Sequence, residues 1–210
     1  MSQSTKRLAL YGAGGHGKVA AEIAEQIGWD DISFFDNKYG EKTQCGRWPI
    51  VGNELALFER LNEFDSIFVS IGNNQIRANK QTALIDAGAS LAILISPRAI
   101  ISPSVQVGYG SLIVQGAIIN IGSQIGSGVI INTGACVDHD CNVEDFAHIC
   151  PGTMLSGGVQ VKKGAWVGIG SSIIQSVVIG QDCLIGAGSV VVSDIADNTK
   201  AFGVPAKIKH

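Results

Sequence analysis

The sequence predicts two architectures in one chain: a small parallel α/β domain over residues 1–95 and a tightly wound parallel β-helix over residues 96–210. Three observations carry this. An aliphatic residue recurs at every sixth position through the second half. Strand-like and helix-like segments alternate through the first half. Between them, Ser96-Pro97 breaks the alternation and Pro103 reinforces the break.

In chain order, Leu8–Tyr11 reads as a short buried strand. Val19, Ala20, Ile23, Ala24 and Ile27 form a helical stripe, ended by Gly28. Ile32–Phe35 is a second strand, Ile67–Ile71 a third, and residues 75–87 a helix followed by Gly88. Leu91–Ile95 reads as a further strand. Strands alternating with helices build a parallel sheet.

The repeat then takes over. Sixteen positions in steps of six, from Ile101 through Val137 and Ile149 to Val191, are all Ile, Val or Leu. Four residues after each, from Val105 to Ser189, every residue is Ala, Ser, Cys, Thr or Val. This suits a narrow solenoid, with one aliphatic pointing inward per short strand and a small residue near each corner. Gly108, Gly126, Gly168, Gly180 and Gly186 follow the aliphatic directly, where a turning backbone benefits from a missing Cβ. The repeat is expected to stop near Asp194, because the next in-step residue is Asp197.

Composition agrees with such a chain and excludes other classes. Hydrophobic residues make up 46% and charged residues 16%, enough apolar matter for a core. Twenty-seven glycines stand beside only 6% aromatics, and the net charge of −3 argues against a nucleic-acid binder. No run of about 18 apolar residues is present to span a membrane. The opening MSQSTKRLALYG has too short an apolar stretch for a signal peptide. The five cysteines lack CxxC spacing, so free thiols in a reducing cytoplasm are expected, with a zinc site as the minor alternative.

Two segments carry chemistry. The first is GAGGHGKV, where Gly12, Gly14 and Gly17 match G-x-G-x-x-G and Asp36 follows about 20 residues on. Glycines let backbone approach a phosphate, and a helix N-terminus supplies unpaired N–H groups. Fewer than 100 residues precede the repeat, enough for one mononucleotide-binding half, so a nucleotide or nucleotide-sugar suits it better than NAD. A bare strand-to-helix turn with no ligand is the plain alternative. The loop, Asp36-Asn37 and Gly72-Asn73-Asn74 converge on one sheet edge, where amides can meet a base or sugar. The second segment is VDHDCNVEDFAHICPG, which holds His139 and His148 inside the repeat but off the in-step aliphatic position, so both can point outward. His210 says little. Imidazole titrates near working pH and serves as a base when a carboxylate orients it; a solvated surface side chain is the alternative for His139.

Together these segments resemble the NeuD/PglD family of sugar acyltransferases. The resemblance runs through GAGGHGKV, Asp36-Asn37, IGNN with Arg77, the hexapeptides with a His-Asp pair, and Gly203-Val204-Pro205-Ala206-Lys207 near the end. It implies a Rossmann-like domain joined to a left-handed parallel β-helix of hexapeptide repeats, three hexapeptides to a coil. It further implies acetyl transfer from acetyl-CoA, without a metal, to the 4-amino group of a UDP-linked 4-amino-4,6-dideoxy sugar in bacterial glycan biosynthesis. His139 would be the base and Asp140 its orienter, with Asp138 as a second candidate partner. His148 would contact the acetyl-CoA carbonyl, and Gly157, Ile169 and Ala187 the donor. Gly14, Gly15, His16, Asp36, Asn37 and Gly72 would hold the sugar nucleotide. The family implies a homotrimer whose CoA groove lies between subunits, with Trp166 as a candidate contact or interface residue; Cys141 and Cys183 fit as packing residues. Sugar O-acetylation of the sialic-acid type is the runner-up. An NAD-dependent oxidoreductase and a non-catalytic sugar-nucleotide-binding solenoid are the readings from other classes.

Overall fold

The first strand forms because RLALY has no polar interruption after Arg7, and Leu8, Ala9 and Leu10 are fully buried. In the computed structural model, which describes residues 5–209, the chain forms two compact units that meet in sequence at Pro97 and Arg98. The first unit contains β1 (Arg7–Tyr11), α1 (Gly15–Gln26), β2 (Asp31–Phe35), β3 (Gln44–Cys45), β4 (Trp48–Gly52), α2 (Glu54–Glu59), β5 (Ser66–Val69) and α3 (Asn74–Asp86). Its sheet runs β3-β4-β2-β1-β5, parallel throughout except at β3. Phe34, Phe35 and Phe68 are fully buried in this sheet.

The structure adds to or differs from the expectations for this unit in three ways. The hairpin of β3 and β4 and the helix α2 were not anticipated, because Pro49 sits inside the strand Trp48–Gly52 and disguises it. Leu91 makes only an isolated bridge, to Ile67, and Leu94–Ile95 is a separate two-residue strand, so no continuous strand spans Leu91–Ile95. The amides of IGNN are engaged locally: Asn73 caps α3 by accepting from the Ile76 N–H at 2.9 Å, and Asn74 accepts from Arg77 at 3.0 Å.

The second unit is a left-handed parallel β-helix of triangular section. Two-residue strands stack at intervals of 18 residues, as in Ile118–Cys136–Met154–Ser172–Val190. From Ile113 to Val191 every in-step aliphatic is buried. The small residues four places later are also interior, which corrects their expected corner placement. They are small because two inward side chains per hexapeptide must share a narrow prism. Where they carry hydroxyls, they join coils. Ser111 Oγ donates to the Gly126 carbonyl (2.8 Å) and accepts from the Val129 N–H (2.9 Å); Ser123, Thr153 and Ser171 donate to the next coil in the same way.

The corners follow a different register from the one expected. A residue with φ between 52° and 76° recurs every six positions from Gly110 to Gly188. Ten of these are glycine; the others are Asp140, Phe146, Ser176 and Asp182. The glycines directly after the aliphatic are there for close approach instead. A Cβ on Gly168 would lie 2.5 Å from the Ile185 carbonyl oxygen. Nor does the winding end at Asp194. It tightens to a 16-residue coil, with Ile195 bridging Ile179 and Lys200–Phe202 pairing with Leu184–Ile185. The strand Lys207–Lys209 then closes the sheet antiparallel to Lys200–Phe202.

Candidate functional site

At the C-terminal edge of the first sheet, a cavity of about 430 Å³ is lined by Gly14, Gly15, His16, Asp36, Asn37 and Gly72, together with Tyr11, Ser70 and Lys80. All six sequence-derived positions for a sugar nucleotide therefore share one pocket. The helix α1 has Gly14 as its N-cap, with no side-chain cap and no acidic residue in its first turn, which leaves its N–H groups and positive dipole end directed at that pocket. Asp36 holds the loop closed: its Oδ2 accepts from the Ala13 N–H at 2.7 Å and its Oδ1 from Lys38 at 2.9 Å. Ser70 donates to the Gly12 carbonyl at 2.7 Å from the opposite strand. Arg77, fully buried, donates to the carbonyls of Ile71 and Gly72 at 3.1 and 2.9 Å and so shapes the far wall. Burial, aided by the Arg77 charge, pushes His16 down to about 4, so a neutral imidazole faces the pocket at neutral pH.

Sequence reasoning missed the wall built by α2 and α3. Tyr11 Oη donates to Glu54 Oε2 at 2.9 Å, and Glu54 also pairs with Lys80. No motif marks this set, because its members lie 43 and 26 residues apart.

The second site sits on the corner that follows the strand Cys136–Val137. His139 Nδ1 lies 2.8 Å from Asp140 Oδ2, and both side chains are largely exposed. Asp138 does a different job: its Oδ1 accepts from the His139 N–H and from Asn120 Nδ2, both at 2.8 Å. The ring partner is therefore Asp140, and Asp138 fixes the turn that carries the ring. The hydrogen bond that the ring donates to Asp140, reinforced by the Asp138 charge, raises His139 above its ordinary value. With Nδ1–H held by a carboxylate, the lone pair falls on Nε2. That nitrogen lies over Gly157, where a Cβ would stand 2.5 Å away.

The third site is an apolar groove of about 500 Å³ along the corner that follows the strand His148–Ile149, lined among others by Asn132, His148, Cys150, Trp166, Ile169, Ala187 and Phe202. It brings together three of the expected donor-contact residues, His148, Ile169 and Ala187. Gly157 lies instead under the His139 ring. His148 occupies the outer side of its strand yet is only 4% exposed, because Trp166 packs against it at a tilt with ring centroids 4.3 Å apart. This corrects the expectation of an open outward histidine and gives Trp166 a place in the groove wall.

Asn132 also escaped sequence reasoning. Its Oδ1 accepts from the Thr133 N–H at 2.8 Å, which turns its amide nitrogen toward His148 Nε2 at 3.0 Å. His148 Nε2 is then the acceptor, and its tautomer is set. Asn132 precedes His148 by 16 residues, and only the stacking of coils makes them neighbours. Cys141 and Cys183 are buried and donate to the Ser156 and Ala196 carbonyls, consistent with packing roles. Burial pushes the Cys150 thiol up to about 12, far from a nucleophile's range. All five cysteines are free, and no group of three metal-ligating side chains occurs among the described residues. No helix among them is long and apolar enough to cross a membrane. His210 lies outside the described residues.

Residues 7–84 match the PglD N-terminal domain. Across its full length the chain is 39% identical to PerB from Caulobacter crescentus, crystallised with CoA and GDP-perosamine, with a TM-score of 0.93 and all of that chain covered. It is 38% identical to the acetyltransferase domain of PglB from Neisseria gonorrhoeae in complex with acetyl coenzyme A, with a TM-score of 0.94, covering 98% of this chain and all of that one. WeeI from Acinetobacter baumannii shares the fold at 23% identity and a TM-score of 0.85, over 98% of this chain and all of that one.

Proposed function

This chain belongs to the NeuD/PglD family of sugar N-acetyltransferases, and on that premise we propose that it moves the acetyl group of acetyl-CoA onto the 4-amino group of a UDP-linked 4-amino-4,6-dideoxy sugar. The observation that carries the reading is the His139–Asp140 pair, with an unblocked Nε2, on a corner next to the apolar groove. The amine nitrogen attacks the thioester carbonyl, forming the C–N bond. Nε2 of His139 takes the proton that the nitrogen sheds. In this reading the groove lined by Asn132 and His148 receives the oxygen that gains charge, and one donor to such an oxygen is typically worth roughly 2.7–4 kcal/mol. The C–S bond then breaks, and the imidazolium returns its proton to the departing thiolate.

In a single chain, base and groove lie on different corners, so the working unit is an assembly in which one copy supplies His139 to its neighbour's groove. The face between the two corners supports a homotrimer. Its outward column is Ile100, Ile118, Cys136, Met154, Ser172 and Val190, whereas the column on the following face is Gln106, Gln124, Asn142, Gln160 and Val178. Mostly apolar residues on one face, with Ser172 the exception, and mostly amides on the other, with Val178 the exception, mark the first as the one to be covered.

A GDP-linked amino sugar is the second reading, favoured by the likeness to the Caulobacter enzyme crystallised with GDP-perosamine. The test presents UDP- and GDP-linked 4-amino sugars, free sialic acid and acetyl-CoA, with thiol release as the readout. Release with the UDP sugar alone supports the first reading and release with the GDP sugar alone the second. Release only with sialic acid makes the chain an O-acetyltransferase. No release with any acceptor overturns transfer.

A further inference from the structure

The glycine loop of the first unit is pinned from behind by the segment that follows Asp36. Lys42 Nζ donates to the Ala13 carbonyl at 3.2 Å, and Cys45 Sγ donates to the Gly14 carbonyl at 3.5 Å. The same segment is tied to the far end of α1, where Arg47 pairs with Glu25 and Trp48 Nε1 donates to Glu25 Oε1 at 2.7 Å. Residues 42–48 therefore grip the helix at both ends.

A trans peptide is planar, and its C=O and N–H point in opposite directions. The Ala13 carbonyl shares a peptide unit with the Gly14 N–H, and the Gly14 carbonyl shares one with the Gly15 N–H. Drawing these carbonyls toward Lys42 and Cys45 aims both N–H groups the other way. Gly14 and Gly15 line the cavity of about 430 Å³, whereas Lys42 and Cys45 are not among its lining residues. The preceding N–H groups of the loop are spent, Gly12 donating to the Phe35 carbonyl at 2.9 Å and Ala13 to Asp36. Those of Gly14 and Gly15 have no acceptor among the described residues. A Cβ on either glycine would meet nothing within 4 Å, and neither has a positive φ, so packing alone does not require glycine there. Glycine leaves the loop backbone many conformations, and a site that must be ordered on binding loses affinity. We infer that Lys42 and Cys45 are positioning residues for the diphosphate of the acceptor, fixing two successive peptide units so that the Gly14 and Gly15 N–H groups stand ready for its oxygens. The ammonium also polarises the Ala13–Gly14 peptide from the carbonyl side, which makes the Gly14 N–H a better donor. This rests on the sugar-nucleotide reading above.

The test measures binding of UDP and of GDP by calorimetry, together with the KM for the amino-sugar nucleotide and for acetyl-CoA. The variants are Lys42→Met, Lys42→Arg, Cys45→Ala and Cys45→Ser. Methionine keeps the apolar stem without a donor, alanine removes the thiol, and arginine and serine restore a donor. For whichever diphosphate the wild-type protein binds, Kd is expected to rise about tenfold in Lys42→Met and about threefold in Cys45→Ala. The sugar-nucleotide KM rises in step, while kcat and the acetyl-CoA KM stay within about twofold. Lys42→Arg and Cys45→Ser recover most of the loss. The cysteine arm decides between orienting the loop and attracting a phosphate by charge, because a neutral thiol has no charge to offer. A loss in Lys42→Met alone therefore overturns the inference, as does an unchanged Kd in both variants. A parallel rise in the acetyl-CoA KM also overturns it, since that marks a general structural role. Wild-type protein that binds neither diphosphate overturns the sugar-nucleotide reading itself.

Discussion

The imidazole of His139 rests on Gly157, one coil further along the prism. A Cβ there would stand 2.5 Å from Nε2, so the absence of a side chain at one position makes room for the ring nitrogen at the other. Gly157→Ala is accordingly expected to tilt the ring away from Asp140 and lower kcat by about 10²-fold. Gly157 is not among the positive-φ residues, so the thermal midpoint stays within a few degrees. Steady-state kinetics beside a melting curve checks both. Wild-type kcat in this variant would show that the ring does not need this seat.

His139→Ala removes the proposed base. The expected loss in kcat is on the order of 10²–10⁴ with little change in either KM. Asp140→Asn keeps the shape of the turn and removes the carboxylate. Because Asp140 raises His139, the acid limb of the kcat/KM profile should move to lower pH in the variant, with a lower plateau. A limb that stays in place would mean that another group titrates.

The separation of base and groove on two corners predicts complementation. A His139→Ala chain lacks the proposed base and an Ile169→Glu chain blocks the proposed donor groove, so each assembly alone should be nearly inactive. Dissociated and reassembled one to one, random trimers place an intact base against an intact groove at about one site in four. Thiol release near a quarter of the wild-type rate is the expected result. Activity that stays at the level of the parents would place both functions within one chain.

His16 offers a test on the other unit. Its value of about 4 lies below the ordinary 6.5, so the unfolded chain takes up this proton first as pH falls. The stability it contributes is complete above about 6.5 and declines as pH falls toward 4. Urea unfolding between pH 7 and 4.5 should show that decline in wild-type protein and less of it in His16→Gln. An NMR titration midpoint for His16 near 6.5 would contradict the buried neutral ring.

How much of this was legible beforehand depended on whether the signal was local or periodic. The in-step aliphatics repeat without exception, so the solenoid could be read directly. His139 and Asp140 are adjacent in the chain, so their pairing could be read as well. The corner register was hidden, because Asp140, Phe146, Ser176 and Asp182 interrupt the run of glycines. Asp and Ser tolerate the left-handed turn through local hydrogen bonding, and nothing in the residue type of Phe146 announces it. Asn132 and the Tyr11–Glu54–Lys80 wall were invisible for a different reason: each contact joins residues that only the completed fold brings together. The burial of His148 likewise follows from Trp166, one coil away.

Coils that meet through the same hydroxyl and carbonyl partners at each level make the prism additive. An insertion of eighteen residues lengthens it by one storey and returns every later side chain to its original face. An insertion of six, placed between Val143 and Ala147, turns everything after it by a third of a revolution. His148 and Trp166 would then be carried off the side they now share with Ile130, with little damage to the interior. Descendants of this chain can therefore grow or shrink by whole storeys and remain catalysts, whereas a single-hexapeptide change leaves a folded but silent column.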